Sequence, residues 1–226
     1  MKAVSRHPSR IAVFDVDRTL IIGTSVEIQL IRFLLNKQLL PSANLIRAVA
    51  WIPCLMRKGL KEATLRNKFY LYGMEAEFVQ SLMPEFFQYR LRPLFSHQML
   101  MRMSVLKKTG HAIILISGTL DFILDQLIHQ FGADGGMGTT VEIVDGRFTG
   151  RVIGIYPFYR EKVDALMSVL DGKKVDFERS TGFADSWADI PLLSLLGRPV
   201  AMNPDWGLRR EALKRGWSIV TESLRH

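Results

Sequence analysis

Short apolar runs that end abruptly in polar side chains alternate along this chain with segments of helical periodicity. The apolar runs predict buried strands at 11–15, 111–119, 181–185 and 199–202. Residues 141–149 have the pattern of a β-hairpin, with Asp145-Gly146 at a favoured two-residue turn. Apolar positions three and four residues apart then predict helices at about 120–131, at about 158–170, up to about 196 and at about 206–215.

The long segment 23–110 has helical periodicity and no strand pattern. Proline and glycine residues divide it into helices that are predicted to start near residue 24 and then to span about 43–57, 60–72, 75–89 and 93–109. We predict that Thr24 is the N-cap of the first helix. Glu27 follows three residues later, at the spacing that closes a capping box.

This order of elements predicts a doubly wound, Rossmann-like α/β fold with a parallel sheet, because strands alternate with helices on both sides of the helical segment. We expect the core domain to comprise residues 1–22 and 111–226. Residues 23–110 are expected to form an all-helical cap of the C1 type, inserted after the first strand. Ligands of such sheets bind at the carboxyl ends of the strands, so we expect the site there.

The net charge of +8 is unevenly placed along the 226 residues. Residues 23–110 contain 13 Lys or Arg and five Glu with no Asp, so this segment carries the whole excess. A basic segment beside a balanced one favours an anionic partner, although a solvated basic helical surface is the plainer interpretation. The basic residues are scattered and no nucleic-acid-binding motif is present, so we expect a small-molecule partner and neither nucleic acid nor an obligate protein partner.

Cysteine content and hydropathy favour a cytoplasmic protein. Cys54 is the single cysteine, which excludes an internal disulfide and fits a reducing compartment. The first ten residues lack the apolar region of a signal peptide. The apolar tract 45–56 is shorter than the roughly 20 residues that span a membrane. With Arg57-Lys58 behind it, the tract could rest on an anionic membrane, but we favour its being the core of the cap.

Three of the predicted strands end in side chains that can do chemistry. Asp15, Ser117 and Asp185 would meet at one edge of a parallel sheet. Asp15 and Asp17 are two residues apart, so in an extended backbone both side chains point the same way. A buried acidic pair costs several kcal/mol per ion unless a metal, a cation or a substrate offsets that cost. For the acidic pair alone, an ordinary strand end with solvated acids remains the alternative.

Four motifs, in order along the core, resemble those of haloacid dehalogenase-type phosphohydrolases. They are Asp15-Val16-Asp17-Arg18-Thr19, Ser117-Gly118-Thr119, Lys162, and Asp185-Ser186-Trp187-Ala188-Asp189. The later segment 197–205 and Gly216-Trp217 are similar to the phosphoserine-phosphatase-like subfamily, often called subfamily IB. Any one motif is a weak signal, and the four together favour a functional site.

The resemblance implies hydrolysis of a phosphomonoester through an aspartyl-phosphate intermediate. Asp15 would be the nucleophile and Asp17 the general acid and base. Ser117, Gly118 and Lys162 would bind the phosphate, with Ser117 and Lys162 also counted among the catalytic residues.

The resemblance also implies Mg²⁺ as the cofactor, because a carboxylate needs counter-charge to approach a phosphate dianion. The expected oxygen ligands are Asp15, the backbone carbonyl of Asp17 and Asp185. Asp189 would support this metal site.

The substrate is expected to be a small phosphometabolite chosen by the basic cap. Phosphoserine phosphatases of the subfamily carry a Glu nine residues after the nucleophile, and Thr24 stands there in this chain, which argues against phosphoserine. A lipid phosphate of the phosphatidylglycerophosphate type at the membrane surface is the alternative. The candidate contacts in the cap are Trp51, Arg66, Lys68, Tyr70, Tyr72, Arg90 and Arg92.

Two further classes share part of this pattern. Receiver-type regulatory domains combine a phosphorylated Asp with a metal, a hydroxyl and a Lys, but they are about half as long and lack a cap. Nucleotide-sugar transferases use Asp-x-Asp to hold a metal, but they would not require Ser117, Lys162 and Asp185 as well.

Overall fold

Seven strands form one sheet in the computed structural model, which describes residues 1–4, 8–50 and 66–222. The strands are β1 (Ile11–Phe14), β2 (Ala112–Leu120), β3 (Gly135–Val144), β4 (Arg147–Ile153), β5 (Thr181–Ala184), β6 (Arg198–Met202) and β7 (Ser218–Val220). Their order across the sheet is β4-β3-β2-β1-β5-β6-β7. All neighbours are parallel except β3 and β4, which form the predicted antiparallel hairpin.

The helices surround this sheet. They are α1 (Val26–Asn36), α2 (Ser42–Ala50), α3 (Ala76–Ser81), α4 (Met83–Phe86), α5 (His97–Lys108), α6 (Asp121–Phe131), α7 (Glu161–Leu170), α8 (Ile190–Ser194) and α9 (Trp206–Arg215). Single turns of 3₁₀ helix lie at Phe69–Leu71, Arg92–Leu94 and Trp187–Asp189, and Phe87–Leu91 is a π-helical turn. Each helix in the described residues is too short or too polar to cross a lipid bilayer.

Alternate residues of the central strand β1 pack on opposite faces of the sheet, as strand geometry requires. Phe14 belongs to a hydrophobic cluster that includes residues of α1 and α6. Val13 belongs to a second cluster on the other face, with Ala165 and Leu166 of α7. Both faces of the sheet are thus covered by helices, which confirms the doubly wound α/β fold.

In the described part of the segment 23–110, all of the regular elements are helices or helical turns. β-Structure there is limited to isolated bridges of single residues. Helix α5 contributes Met99 and Met103 to the same cluster as Ile113 and Leu115 of β2, so it lies against the sheet. The division between cap and core at residue 110 stays a prediction. The predicted helices 43–57 and 60–72 fall partly outside the described residues.

Three local predictions in this segment are wrong: Thr24 as the N-cap, Glu27 as the residue that closes a capping box, and a single helix at 75–89. The N-cap of α1 is Ser25, whose side chain accepts a hydrogen bond from the backbone N–H of Ile28 at 3.3 Å. Glu27 does not close a capping box, since both its carboxylate oxygens bond Lys68 Nζ, at 2.7 and 2.6 Å. The single helix predicted at 75–89 is divided at Leu82, and the second part starts with a proline in its first turn, where proline is tolerated.

Candidate active site

The carboxyl ends of three neighbouring strands meet at one edge of the sheet. Strand β1 lies between β2 and β5, and Asp15 and Asp185 each follow the last residue of their strand directly. A pocket of about 150 Å³ opens there. Six of the predicted site residues line it, namely Asp15, Asp17, Gly118, Lys162, Asp185 and Asp189.

Ser117, the remaining predicted residue, is 1% exposed and lies within β2 rather than in the pocket lining. Its hydroxyl donates to the Thr119 hydroxyl at 3.1 Å and accepts from the Thr119 backbone N–H at 3.2 Å. The serine therefore holds the irregular stretch of β2 that presents Gly118 to the pocket.

Lys162, in the first turn of α7, joins two buried acids. Its Nζ bonds Asp15 Oδ1 at 2.6 Å and also bonds Asp189 Oδ1. The three side chains are 7%, 5% and 2% exposed. Burial alone would lower the pKa of Lys162, but the charges of Asp15 and Asp189 outweigh it and raise that pKa, so the lysine stays charged.

Negative charge is in excess at this end of the sheet. Burial raises the pKa of Asp15 from 3.8 to about 7, against the opposing charge of Lys162 and together with the charges of Asp189 and Asp17. Burial and the charges of Asp15 and Asp189 likewise raise the pKa of Asp185 to about 8. A cation bound between these carboxylates would offset that repulsion.

Asp17 and Arg18 form the bend that leaves β1. Asp17 Oδ1 accepts the backbone N–H of Val26 at 2.7 Å, so the first turn of α1 fixes the carboxylate. Burial is the largest cause that raises the pKa of Asp17. Arg18 has a φ of +57°, and its Nε lies 2.8 Å from Asp185 Oδ2.

The donor set fits a magnesium ion. Asp15 and Asp185 supply carboxylate oxygens, and the backbone carbonyl of Asp17 is the third expected ligand. Such hard oxygen ligands suit Mg²⁺. Among the described residues, no group of three ligating side chains is arranged to hold a metal ion. The expected set needs only two such side chains, because its third ligand is a backbone carbonyl. Asp189 is bonded to Lys162 and to the backbone N–H of Ser186, which suits a supporting role.

The loop 185–189 is held from outside by Asp205, whose role the sequence motif did not reveal. The Asp205 backbone N–H bonds the carbonyl of Asp185 at 2.7 Å. Its carboxylate accepts from the Trp187 backbone N–H at 3.0 Å, from the Ser186 hydroxyl at 3.2 Å and from the Leu208 backbone N–H at 2.8 Å. One aspartate thus caps α9 and fixes the loop that carries Asp185.

Two of the cap candidates reach residues of the pocket lining. Lys68, whose side chain is 1% exposed, bonds Glu27, and Arg66 packs over the Tyr156 ring with its Cζ 4.8 Å from the ring centroid. Helical spacing gave no sign of either contact, because each partner is distant in sequence.

The other cap candidates are placed differently. Tyr70, Tyr72, Arg90 and Arg92 are not in the pocket lining. Trp51 lies outside the described residues.

A doubly wound α/β sheet thus brings an acidic pair after its first strand and a buried lysine into one pocket, as an enzyme active site requires. The sequence pattern of haloacid dehalogenase-like hydrolases matches residues 12–194. The chain belongs to the haloacid dehalogenase-like hydrolases.

Named relatives in the family include phosphatases. The histidinol-phosphatase of Neisseria meningitidis serogroup C (strain 8013) is 31% identical, over 93% of this chain and 97% of that protein. A phosphoserine phosphatase of Mycobacterium tuberculosis (strain ATCC 25618 / H37Rv) is 38% identical over 110 residues, which are 49% of this chain and 36% of that protein. The chain thus matches only about a third of the length of this mycobacterial relative.

Solved structures show the same fold. A protein with unknown function from Bordetella pertussis Tohama I superposes with a TM-score of 0.79 at 27% identity, over 96% of this chain and all of that one. A phosphoserine phosphatase solved as a phospho-aspartyl intermediate analogue has a TM-score of 0.66 at 19% identity, over 96% and 94% of the two chains. The chain therefore shares its fold with phosphoserine phosphatases.

Proposed function

We propose that this protein is a Mg²⁺-dependent phosphomonoester hydrolase that acts on a small phosphometabolite through an aspartyl-phosphate on Asp15. The observation that carries the proposal is the pairing of Asp15 with the buried cation of Lys162 at 2.6 Å, in the same pocket as Asp17 and Asp185. We also propose that residues 23–110 form the cap that closes over this pocket.

The reaction has two steps at one phosphorus atom. In the first, a carboxylate oxygen of Asp15 attacks phosphorus, the bond to the alcohol oxygen breaks, and Asp17 gives its proton to the leaving alkoxide. In the second, Asp17 takes a proton from water, the water oxygen attacks phosphorus, and the bond to Asp15 breaks to release phosphate. The raised pKa of Asp17 suits a group that must first hold this proton.

Lys162 has two tasks in this scheme. Its ammonium orients Asp15 through Oδ1, and it places positive charge where the phosphoryl oxygens would lie. Asp189 and the N-terminal turn of α7 hold the ammonium in place. The backbone at Gly118, fixed by Ser117 and Thr119, supplies the expected phosphate seat.

The Mg²⁺ would be held by Asp15, the Asp17 carbonyl and Asp185, and would supply counter-charge to the phosphoryl oxygens. Since Arg18 bonds Oδ2 of Asp185, one oxygen of that carboxylate already has a cationic partner.

Pocket size and the named relatives support a small substrate. A volume of about 150 Å³ is small beside the 300–1,000 Å³ of sites for drug-sized ligands. The histidinol-phosphatase and phosphoserine phosphatase among the relatives are named for such substrates. The regulatory-domain alternative gains no support from a family of hydrolases.

One observation keeps the lipid alternative in the test. Ile46 and Val49 of α2 are 71% and 67% exposed, although they belong to the tract 45–56 that we expected to be the core of the cap. Residues 51–56 of that tract, and Arg57-Lys58, lie outside the described residues.

The test is the release of phosphate from a generic aryl phosphate, with and without Mg²⁺, by the wild type and by Asp15→Asn. We expect Mg²⁺-dependent turnover that the variant loses; equal activity in the variant would rule out Asp15 as the nucleophile. A panel of histidinol phosphate, phosphoserine, glycerol phosphate and vesicles that contain phosphatidylglycerophosphate then ranks the substrates. Preference for the vesicles would replace the small-metabolite proposal with the lipid one.

A further inference from the structure

Tyr156, in the connection between β4 and α7, lies beside the expected phosphate seat. Its side chain is 2% exposed, yet it lines the pocket together with Asp15 and Asp17. The phenol oxygen is 3.4 Å from the point that a β-carbon on Gly118 would occupy. The hydroxyl therefore lies next to Gly118, the residue of the phosphate seat that faces the pocket.

A clamp from two other parts of the chain fixes this tyrosine. The Tyr156 backbone N–H donates to Glu161 Oε2 at 3.1 Å. Arg66 bonds both oxygens of the same carboxylate, at 2.7 and 2.9 Å, and its guanidinium packs over the Tyr156 ring. Glu161 directly precedes Lys162, so the clamp also links the described part of the segment 23–110 to the helix that carries the catalytic lysine.

The surroundings keep the phenol protonated. Burial, followed by the charges of Glu27 and Asp17, raises the pKa of Tyr156, and these outweigh the opposing charges of Arg66 and Lys162. A protonated phenol that faces a phosphate seat can donate a hydrogen bond, which the carboxylates around it cannot do when ionised.

We propose that Tyr156 is a phosphate-binding residue, whose hydroxyl donates a hydrogen bond to a phosphoryl oxygen of the substrate. Arg66 and Glu161 are its positioning residues. This inference rests on the proposed function, since it requires a phosphomonoester in this pocket. Because Tyr156 and Asp17 line the same pocket, the alternative contact of the phenol is the leaving group.

The first test uses inorganic phosphate as the probe and Tyr156→Phe, which removes only the hydroxyl. We expect the inhibition constant for phosphate to rise about tenfold or more and kcat/KM for the aryl phosphate to fall by a similar factor, as for a lost hydrogen bond to a charged group. Isothermal titration with phosphate gives the same comparison without turnover. Tyr159→Phe is the matched control, because Tyr159 is 38% exposed and packs on Trp187 outside the pocket lining.

The second test addresses the clamp. Arg66→Ala should weaken phosphate binding in the wild-type background and have little effect in the Tyr156→Phe background, whereas Arg66→Lys should retain part of the affinity. Glu161→Gln keeps an oxygen for the Tyr156 N–H and should be milder than Glu161→Ala.

The outcomes separate the two proposals. Unchanged phosphate affinity in Tyr156→Phe overturns this inference, and so does an effect on the organic substrate alone, which would place the phenol on the leaving group. Additive effects of the Arg66 and Tyr156 variants overturn the positioning role. A wild type without Asp15-dependent turnover that still binds phosphate through Tyr156 would contradict the proposed hydrolysis and leave the phosphate contact supported.

Discussion

Replacement of Lys162 by methionine should damage stability and catalysis together. The substitution keeps an unbranched side chain of similar volume and removes only the cation. In the native protein that cation bonds Asp15 and Asp189, whose side chains are 5% and 2% exposed. Both carboxylates would then be buried without their lysine.

The expected magnitude follows from this burial. Removal of one partner from a buried ion pair costs about 3–5 kcal/mol, because the remaining charge stays desolvated. Lys173→Met is the matched control beyond the end of the same helix. Its ammonium lies 3.9 Å from Asp171, whose side chain is 75% exposed, so the loss should be about 1 kcal/mol or less.

The assay is urea unfolding of the wild type and both variants in EDTA, followed by kcat/KM on the aryl phosphate with Mg²⁺. We expect Lys162→Met to lower the free energy of unfolding by about 3 kcal/mol or more at an unchanged m-value, and to lower kcat/KM by at least about a hundredfold. A Lys162→Met protein as stable and as active as Lys173→Met would refute the view that this cation balances the buried acids and assists the reaction.

Three further substitutions test separate parts of the site. Asp17→Asn should lower kcat by about 10²–10⁴. With an aryl phosphate whose leaving group needs no proton, the phosphoenzyme should accumulate, which is seen as a burst of released phenol. A variant without a burst and with full turnover would contradict the general acid–base role. Glu27→Gln leaves the buried Lys68 without its carboxylate, so thermal unfolding should occur at a lower temperature than in the wild type, and an unchanged unfolding temperature would show that the pair is not stabilising. Asp205→Ala should lose about 1 kcal/mol as a helix cap and also bind Mg²⁺ more weakly, measured by titration calorimetry, whereas Asp205→Asn keeps a capping oxygen; equal Mg²⁺ affinity in Asp205→Ala would exclude a role in holding the Asp185 loop.

Most of the sheet could be predicted from the sequence, because buried parallel strands are apolar throughout and end in polar residues. The first half of β3 was missed, since Gly135-Gly136-Met137-Gly138 has the composition of a loop. Close packing accounts for these glycines: a β-carbon on Gly136 would lie 2.5 Å from the Leu115 carbonyl oxygen. The short strand β7 was also missed, because three residues at the sheet edge give little periodicity.

Parallel strands bring their carboxyl ends together, which was enough to predict that Asp15 and Asp185 share one pocket, whereas Lys162 was predicted only from the resemblance of the motifs to a known family. Local pattern misled at Glu27, where the spacing of a capping box concealed a long-range pair with Lys68. It gave no sign of the contact between Tyr156 and Arg66, which joins residues 90 positions apart. Side chains that meet across two distant segments leave no periodic signal.

The most direct test of the central claim is to find the phosphoryl group on Asp15. The Asp17→Asn variant is mixed with aryl phosphate and Mg²⁺, quenched in acid and reduced with borohydride, which converts an aspartyl-phosphate to homoserine. Peptide mass spectrometry should then find homoserine at position 15, and no such change when Asp15→Asn is combined with Asp17→Asn. Full turnover with no modification at position 15, or with the phosphoryl group on another residue, would contradict Asp15 as the nucleophile.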